Sequence, residues 1–211
     1  MLTKFAIRLK KESQMISIVT ATIGRDSLLR ALDNIDGQTY TDWEHVVVVD
    51  GGPLNDSLLV RITENPKRNL IQIQKSKQDH GKSPQNIGII GSQGDFVTLL
   101  DDDNEWLPGH LESMIKPFQD DSSIQIVFCP LTMIHFNSDN LREERHFSLS
   151  CGKVDAGNFL ARREVFYRNG LFWAPNRRSY DWELIKKITT INNEKYFVIN
   201  ERNFLYYTPK P

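Results

Sequence analysis

Long apolar runs, a cysteine framework and a net charge of either sign are all missing from this 211-residue chain. No apolar run approaches the length of about 20 residues needed to span a bilayer. The opening residues, MLTKFAIRLKKESQ, lack the apolar core of a signal peptide. The two cysteines, Cys129 and Cys151, match no metal spacing and suit a reducing cytoplasm. A net charge of −1 leaves no global field to draw the chain to nucleic acid, so no such partner is expected. The phosphate loop GxxxxGK[ST] is absent, and TATIGRDS (20–27) is not GxGxxG, which excludes the two commonest nucleotide fingerprints.

What is present describes an ordinary soluble globular protein, with 25% charged and 39% hydrophobic residues. The length allows one sizeable core. One domain is expected over 15–211, preceded by a leader or short helix over 1–14. Leu2, Phe5, Ala6 and Leu9 fall at helical spacing, with Lys4, Arg8 and Lys11 on another face. Residues 1–11 are therefore a candidate peripheral membrane contact. A helix packed on the domain, or a leader before a start at Met15, are the alternatives.

MISIVT (15–20), EHVVVVD (44–50), LIQIQ (70–74) and DFVTLL (95–100) read as strands. Helices are expected between them. One carries Leu28, Leu29, Leu32 and Ile35 on one face and stops at Gly37; the second is capped by Asp56 or Ser57; the third begins at Pro84. This βαβαβαβ order predicts an α/β fold, a mostly parallel central sheet with helices on both faces. The remainder reads as a helix to about Phe118, a strand over 124–131, a loop or hairpin over 135–153 and a strand over 156–162. A short helix closed by Gly170, a helix over 181–188, a last strand over 195–200 and an aromatic tail complete it.

The fourth strand ends on Asp101, Asp102 and Asp103. Two carboxylates about 5 Å apart repel by about 3 kcal/mol at an effective dielectric of about 20. A bound cation is the usual compensation, and all-oxygen ligands suit Mg²⁺ or Mn²⁺. In extended chain Asp101 and Asp103 point the same way and converge on one ion. Thr22, Asp50 and Asp101–Asp103 all lie at the carboxyl ends of strands, where such sheets bind ligands. A solvated turn with a helix cap is the bland alternative. Trp106 excludes a calcium EF-hand, because it stands where that loop needs glycine. His80, His135 and His146 share no motif.

The residues ISIVTATIGRDSLLRALDNIDGQTYTDWEHVVVVDGG (16–52), NIGIIGSQGDFVTLLDDDNEWLPGHLESM (86–114), GNFLARREVFYRNGLF (157–172) and YDWELIKKI (180–188) resemble, in order and spacing, the inverting glycosyltransferases of family 2. The resemblance covers about residues 15–190. It implies a GT-A fold, with a nucleotide-sugar-binding half over 15–107 and an acceptor-side half over 108–211. It implies transfer of a sugar from a nucleoside-diphosphate sugar, UDP preferred, to a hydroxyl on a glycan, a lipid-linked saccharide or another acceptor. Asp50 would meet the base beside the Ala21–Thr22 backbone. Asp103 would be the principal metal ligand, with Asp101 or Asp102 near the ribose or sharing the metal. Asp181 would be the general base, with Glu183 second choice and a helix-capping role as the alternative for Asp181. Two departures stand out. Ile23 replaces an aromatic that stacks on the base, and Pro84-Gln85 replace Ala-Arg, leaving diphosphate contact to Lys82 or Arg25. Trp173, Tyr180 and Trp182 flank the acceptor segment. A nucleotidyltransferase and a non-catalytic binding module are the other classes this sequence admits.

Overall fold

In the computed structural model, residues 14–135, 142–144, 147–151, 153–172 and 179–208 are described. The expected leader, with the membrane contact over 1–11, lies outside these residues, as do His146 and Trp173. ISIVTAT forms β1 (Ile16–Thr22), and WEHVVVVD forms β2 (Trp43–Asp50), paired in parallel. Every residue of β2 is buried. Alternation of side chains then sends Ile16, Ile18 and Val47 to one face, and Val19, Val46 and Val48 to the other. Both faces need cover, and they receive it from different helices.

The first face is covered by α1 (Leu28–Asp36), α2 (Asp56–Thr63) and later α4 (His110–Asp120), through residues such as Leu32, Ile62 and Met114. Between them run β3 (Arg68–Ile73), α3 (Lys82–Gly91), β4 (Phe96–Leu99) and the short β5 (Glu105–Trp106). α3 covers the second face. Asn55, not Asp56 or Ser57, caps α2: its side chain accepts from the Leu58 N–H at 2.9 Å. α3 starts at Lys82, so Pro84 is its third residue rather than its first. Asp79 reaches that start instead, accepting from the Ser83 amide and hydroxyl.

The expected strand over 124–131 is interrupted, giving β6 (Ile126–Phe128) and β7 (Leu131–His135), which join different sheets. β8 (Arg142–Glu144) pairs with β7 as a hairpin. Residues 156–158 form a 3₁₀ turn rather than strand, because the Asp155 side chain accepts from Gly157 N–H and Asn158 reciprocates to the Asp155 amide. Then come β9 (Phe159–Arg162), α5 (Arg163–Asn169), α6 (Tyr180–Lys186), β10 (Tyr196–Val198) and β11 (Phe204–Thr208). Gly170 closes α5 with φ 82°. α5 and α6 join α3 on the second face through Phe166 and Ile185.

The large sheet has the order β10-β6-β9-β4-β1-β2-β3, with β9 antiparallel to both neighbours and every other pair parallel. The expected mostly parallel sheet is present. The aromatic tail, instead of trailing, becomes β11 in a second sheet of order β5-β11-β7-β8. Phe204 lies fully buried under Gly157, where an added Cβ would stand 2.7 Å from its Cζ.

Buried polar groups in the sheet are paired. Glu44 accepts from the Ser17 hydroxyl at 2.5 Å and from the Gln93 and Gly94 amides. His45, held down to a pKa of about 3 by burial and by Arg68, stays neutral against Thr20.

α3 approaches the sheet closely because residue 88 has no side chain. A Cβ at Gly88 would lie 2.3 Å from Val19 Cγ1 and 3.2 Å from Val48 Cγ2. Gly88→Ala is expected to cost about 1–3 kcal/mol through overpacking, more than the helix-propensity gain of about 1 kcal/mol returns. Urea unfolding checks this as a lower midpoint at unchanged slope. A raised midpoint would mean that α3 does not pack this tightly.

Candidate active site

The parallel strands deliver their tips to one place. Val19 lies opposite Leu99, and Thr22 opposite Val49. The residues that follow β4 and β2 therefore stand beside Ala21–Thr22. A cleft of about 280 Å³ opens there. Its walls are Ala21 and Thr22 at the end of β1, Ile23 and Arg25 after it, Asp50 at the end of β2 and the triplet Asp101–Asp103. The segment 76–85, with Tyr180, closes the far side.

At one end, Asp50 accepts from the Ser76 hydroxyl at 3.0 Å and the Lys77 amide at 2.9 Å. Gly51 makes that approach possible: at φ 79°, a Cβ there would stand 2.7 Å from Ser76 N. Ile23, 59% exposed, sits on the rim without a ring to stack. Gln78, His80 and Gly81 all have positive φ, so the loop before α3 holds left-handed backbone at two side-chain-bearing positions.

The triplet does not continue as strand. β4 ends at Leu99, and the Asn104 amide closes a turn onto the Asp101 carbonyl at 3.2 Å. The extended-chain argument for Asp101 and Asp103 therefore fails, and the three carboxylates have three environments. Asp102 is buried and accepts from the Thr22 hydroxyl at 2.6 Å, with Arg25 at 3.6 Å. Asp103 is half-exposed and ion-paired to Arg25 at 2.9 Å, and Arg30 donates to its carbonyl at 2.8 Å. Asp101 faces α3, where Gln85 Nε2 donates to it at 3.3 Å.

Asp181 is the second residue of α6, next to the cleft-lining Tyr180. Ser179, not Asp181, precedes the helix as its cap residue, although Asp181 accepts from the Trp182 amide at 2.7 Å. Glu183 lies in the same helical turn. Lys82 opens α3 with its ammonium 6.0 Å from the Tyr180 ring centroid. Trp182 packs partly buried against the core.

These acids interact. Burial, then the charges of Asp103, Asp102 and Asp181, push Asp101 up to about 7. Burial pushes Asp181 up to about 6. Asp155, which the sequence reading passed over, is raised well above the carboxylate range by burial and by Asp101. It belongs to the same acidic group. Its only sequence signal was the capping spacing to Asn158, which marks a turn and not a site.

The donor set fits a hard divalent cation, since it is all carboxylate oxygen and crowded with like charge. Among the described residues no three His, Cys, Asp or Glu side chains converge as a cage. Such an ion would complete its shell with oxygens from water and a bound phosphate, as Mg²⁺ sites usually do.

Comparison with known proteins agrees with this geometry. The chain is 31% identical over 105 residues to the uncharacterized glycosyltransferase YwdF of Bacillus subtilis, covering 49% of this chain and 38% of that protein. The chain thus spans well under half the length of that relative. Among solved structures, TarS 1–349 of S. aureus in complex with UDP-GlcNAc superposes with a TM-score of 0.69 at 16% identity, covering 94% of this chain and 59% of that one. The mannosyltransferase PcManGT of Pyrobaculum calidifontis, in complex with GDP-Man and Mn²⁺, gives 0.68 at 17% identity, covering 95% and 59%. The family model described as glycosyl transferase family 2 matches residues 17–195. The chain, with its mostly parallel sheet and strand-tip acids, belongs to glycosyl transferase family 2.

Proposed function

We propose that the chain is a metal-dependent inverting glycosyltransferase that moves a sugar from a nucleoside-diphosphate sugar, UDP preferred, to an acceptor hydroxyl. The observation that carries this is the cleft itself, which runs from Asp50 past Asp102, Asp103 and Arg25 to Asp101 and Tyr180. Residues 15–107 build the donor side, and residues 108–211 supply the acceptor side.

Asp50 meets the base beside Ala21 and Thr22, oriented by Ser76 and Lys77. Asp102 sits at the ribose, held by Thr22. Asp103, with Asp101, would hold Mn²⁺ or Mg²⁺. Bound there, the cation supplies Lewis-acid stabilisation of the departing diphosphate. Arg25, whose guanidinium is 51% exposed and already at this point, adds a cationic contact to the diphosphate, with Lys82 nearby. Asp181 removes the acceptor proton. Its pKa near 6 places it close to neutrality, where a general base is most effective. Direct displacement with one base and no nucleophilic carboxylate gives inversion at the sugar carbon.

The test is calorimetric titration with UDP, GDP and dTDP, each with and without Mn²⁺. One nucleotide is expected to bind, and to bind more tightly with the metal. If none binds under either condition, the reading fails.

A further inference from the structure

One polar atom in the cleft is left without a partner. Gln85 is 2% exposed, on the first turn and a half of α3, and its side chain forms part of the cleft wall. Its amide nitrogen is engaged, donating to Asp101 Oδ1 at 3.3 Å. Beside it the Tyr180 hydroxyl donates to the His80 carbonyl at 2.9 Å. When Asp101 is ionised it can only accept, so a turned-over Gln85 amide would then set oxygen against oxygen. Its Oε1 is left buried with no hydrogen-bond donor. A buried acceptor in that state costs about 1–3 kcal/mol, and folded proteins retain few of them.

We propose that Gln85 Oε1 is the sugar-recognition acceptor of the donor site, taking a hydrogen bond from a hydroxyl of a neutral donor sugar and discriminating against a uronate. This rests on the glycosyltransferase reading given above. Position supports it: Gln85 contacts Asp101, which follows β4, while Asp50 ends β2 on the other side of β1, so the transferred group rather than the base belongs here. Chemistry supports it too. Oε1 needs a donor, which a sugar hydroxyl provides and a sugar carboxylate does not. A carboxylate there would also meet the Asp101 carboxyl, to which Gln85 donates. A site built to hydrogen-bond a substrate hydroxyl rejects the analogue lacking it more strongly than an apolar pocket rejects a size change.

The experiment compares wild type with Gln85→Met, which keeps the volume and removes the amide. Calorimetry with Mn²⁺ measures UDP, GDP, UDP-GlcNAc, UDP-glucose, GDP-mannose and UDP-glucuronate. Monodeoxy analogues of the best neutral donor follow. Wild type is expected to bind one neutral donor at least tenfold more tightly than its parent nucleotide, and UDP-glucuronate no more tightly than UDP. Gln85→Met is expected to lose about tenfold more on the neutral donor than on the parent nucleotide. One deoxy analogue should weaken wild type by a similar factor and the variant hardly at all, a coupling that a merely structural role for Gln85 would not produce. If nucleotide binding is normal but no deoxy position couples to Gln85, or UDP-glucuronate binds best, the assignment is overturned and the glycosyltransferase reading stands. If wild type binds no nucleotide at all, both fall.

Discussion

Replacing Asp103 by alanine is expected to lower sugar transfer by a factor of about 10²–10³ and to abolish the Mn²⁺ dependence of nucleotide binding. The magnitude is that of removing one strong electrostatic contact to developing charge in a desolvated site. The fold should hardly notice. The Asp103 carboxylate is 45% exposed, and its pairing with an equally accessible Arg25 is worth at most about 1 kcal/mol. Thermal unfolding of the variant within a few degrees of wild type, alongside lost metal dependence, separates the site effect from a folding defect. Transfer at the wild-type rate would remove Asp103 from the metal site.

The second large effect concerns Asp181. Asp181→Asn keeps the shape and removes the base, and transfer is expected to fall by about 10²–10⁴. Nucleotide affinity should change little, because Tyr180 lines the cleft and Asp181, next to it in α6, does not. In wild type, kcat/KM should rise with pH and level off above about 6 as the carboxyl ionises. Stability should move the other way. With a folded pKa near 6 and an ordinary unfolded value, the native state holds more protons between about pH 4 and 6, so stability falls as pH rises through that window. The gap corresponds to at most about 3 kcal/mol, reduced by the side chain's partial exposure. Asp181→Asn should therefore unfold about 1–3 kcal/mol later than wild type at pH 7 and equally with it below pH 4. An unchanged transfer rate would pass the role of base to Glu183, the other acid in that turn of α6.

Much of this could be read from residues alone, for reasons that lie in local chemistry. Four valines in a row in β2 can only belong to a strand covered on both faces, and the helices duly divide between them. Acids at strand tips follow from topology, which puts Thr22, Asp50 and the triplet at one edge whatever the details. Non-local choices were not legible. Nothing within FLAR requires it to run antiparallel between β4 and β6. The triplet invited an extended reading because the apolar run suggests strand to Leu100; the turn closed by Asn104 redirects each carboxylate separately. Asp155 announces itself only as a cap, and its approach to Asp101 needs the fold. Gln85 reads as a polar helix residue until its oxygen is found buried in the cleft.

The last strand has a consequence for how the protein is made. β11 pairs with β5 immediately beyond the acidic turn, and its Tyr207 amide donates to Asn104 Oδ1 across 103 positions of sequence, while Arg30 lies over the Tyr207 ring at 4.4 Å. A ribosome adding about 5–20 residues per second needs roughly 5–20 s to cover that distance. During this interval the nascent chain already carries the strands and acids of the donor side, but not the strand that seats Phe204 beneath Gly157 and covers Trp106. β5 and β7 thus gain the strand that lies between them only after synthesis has reached residue 208.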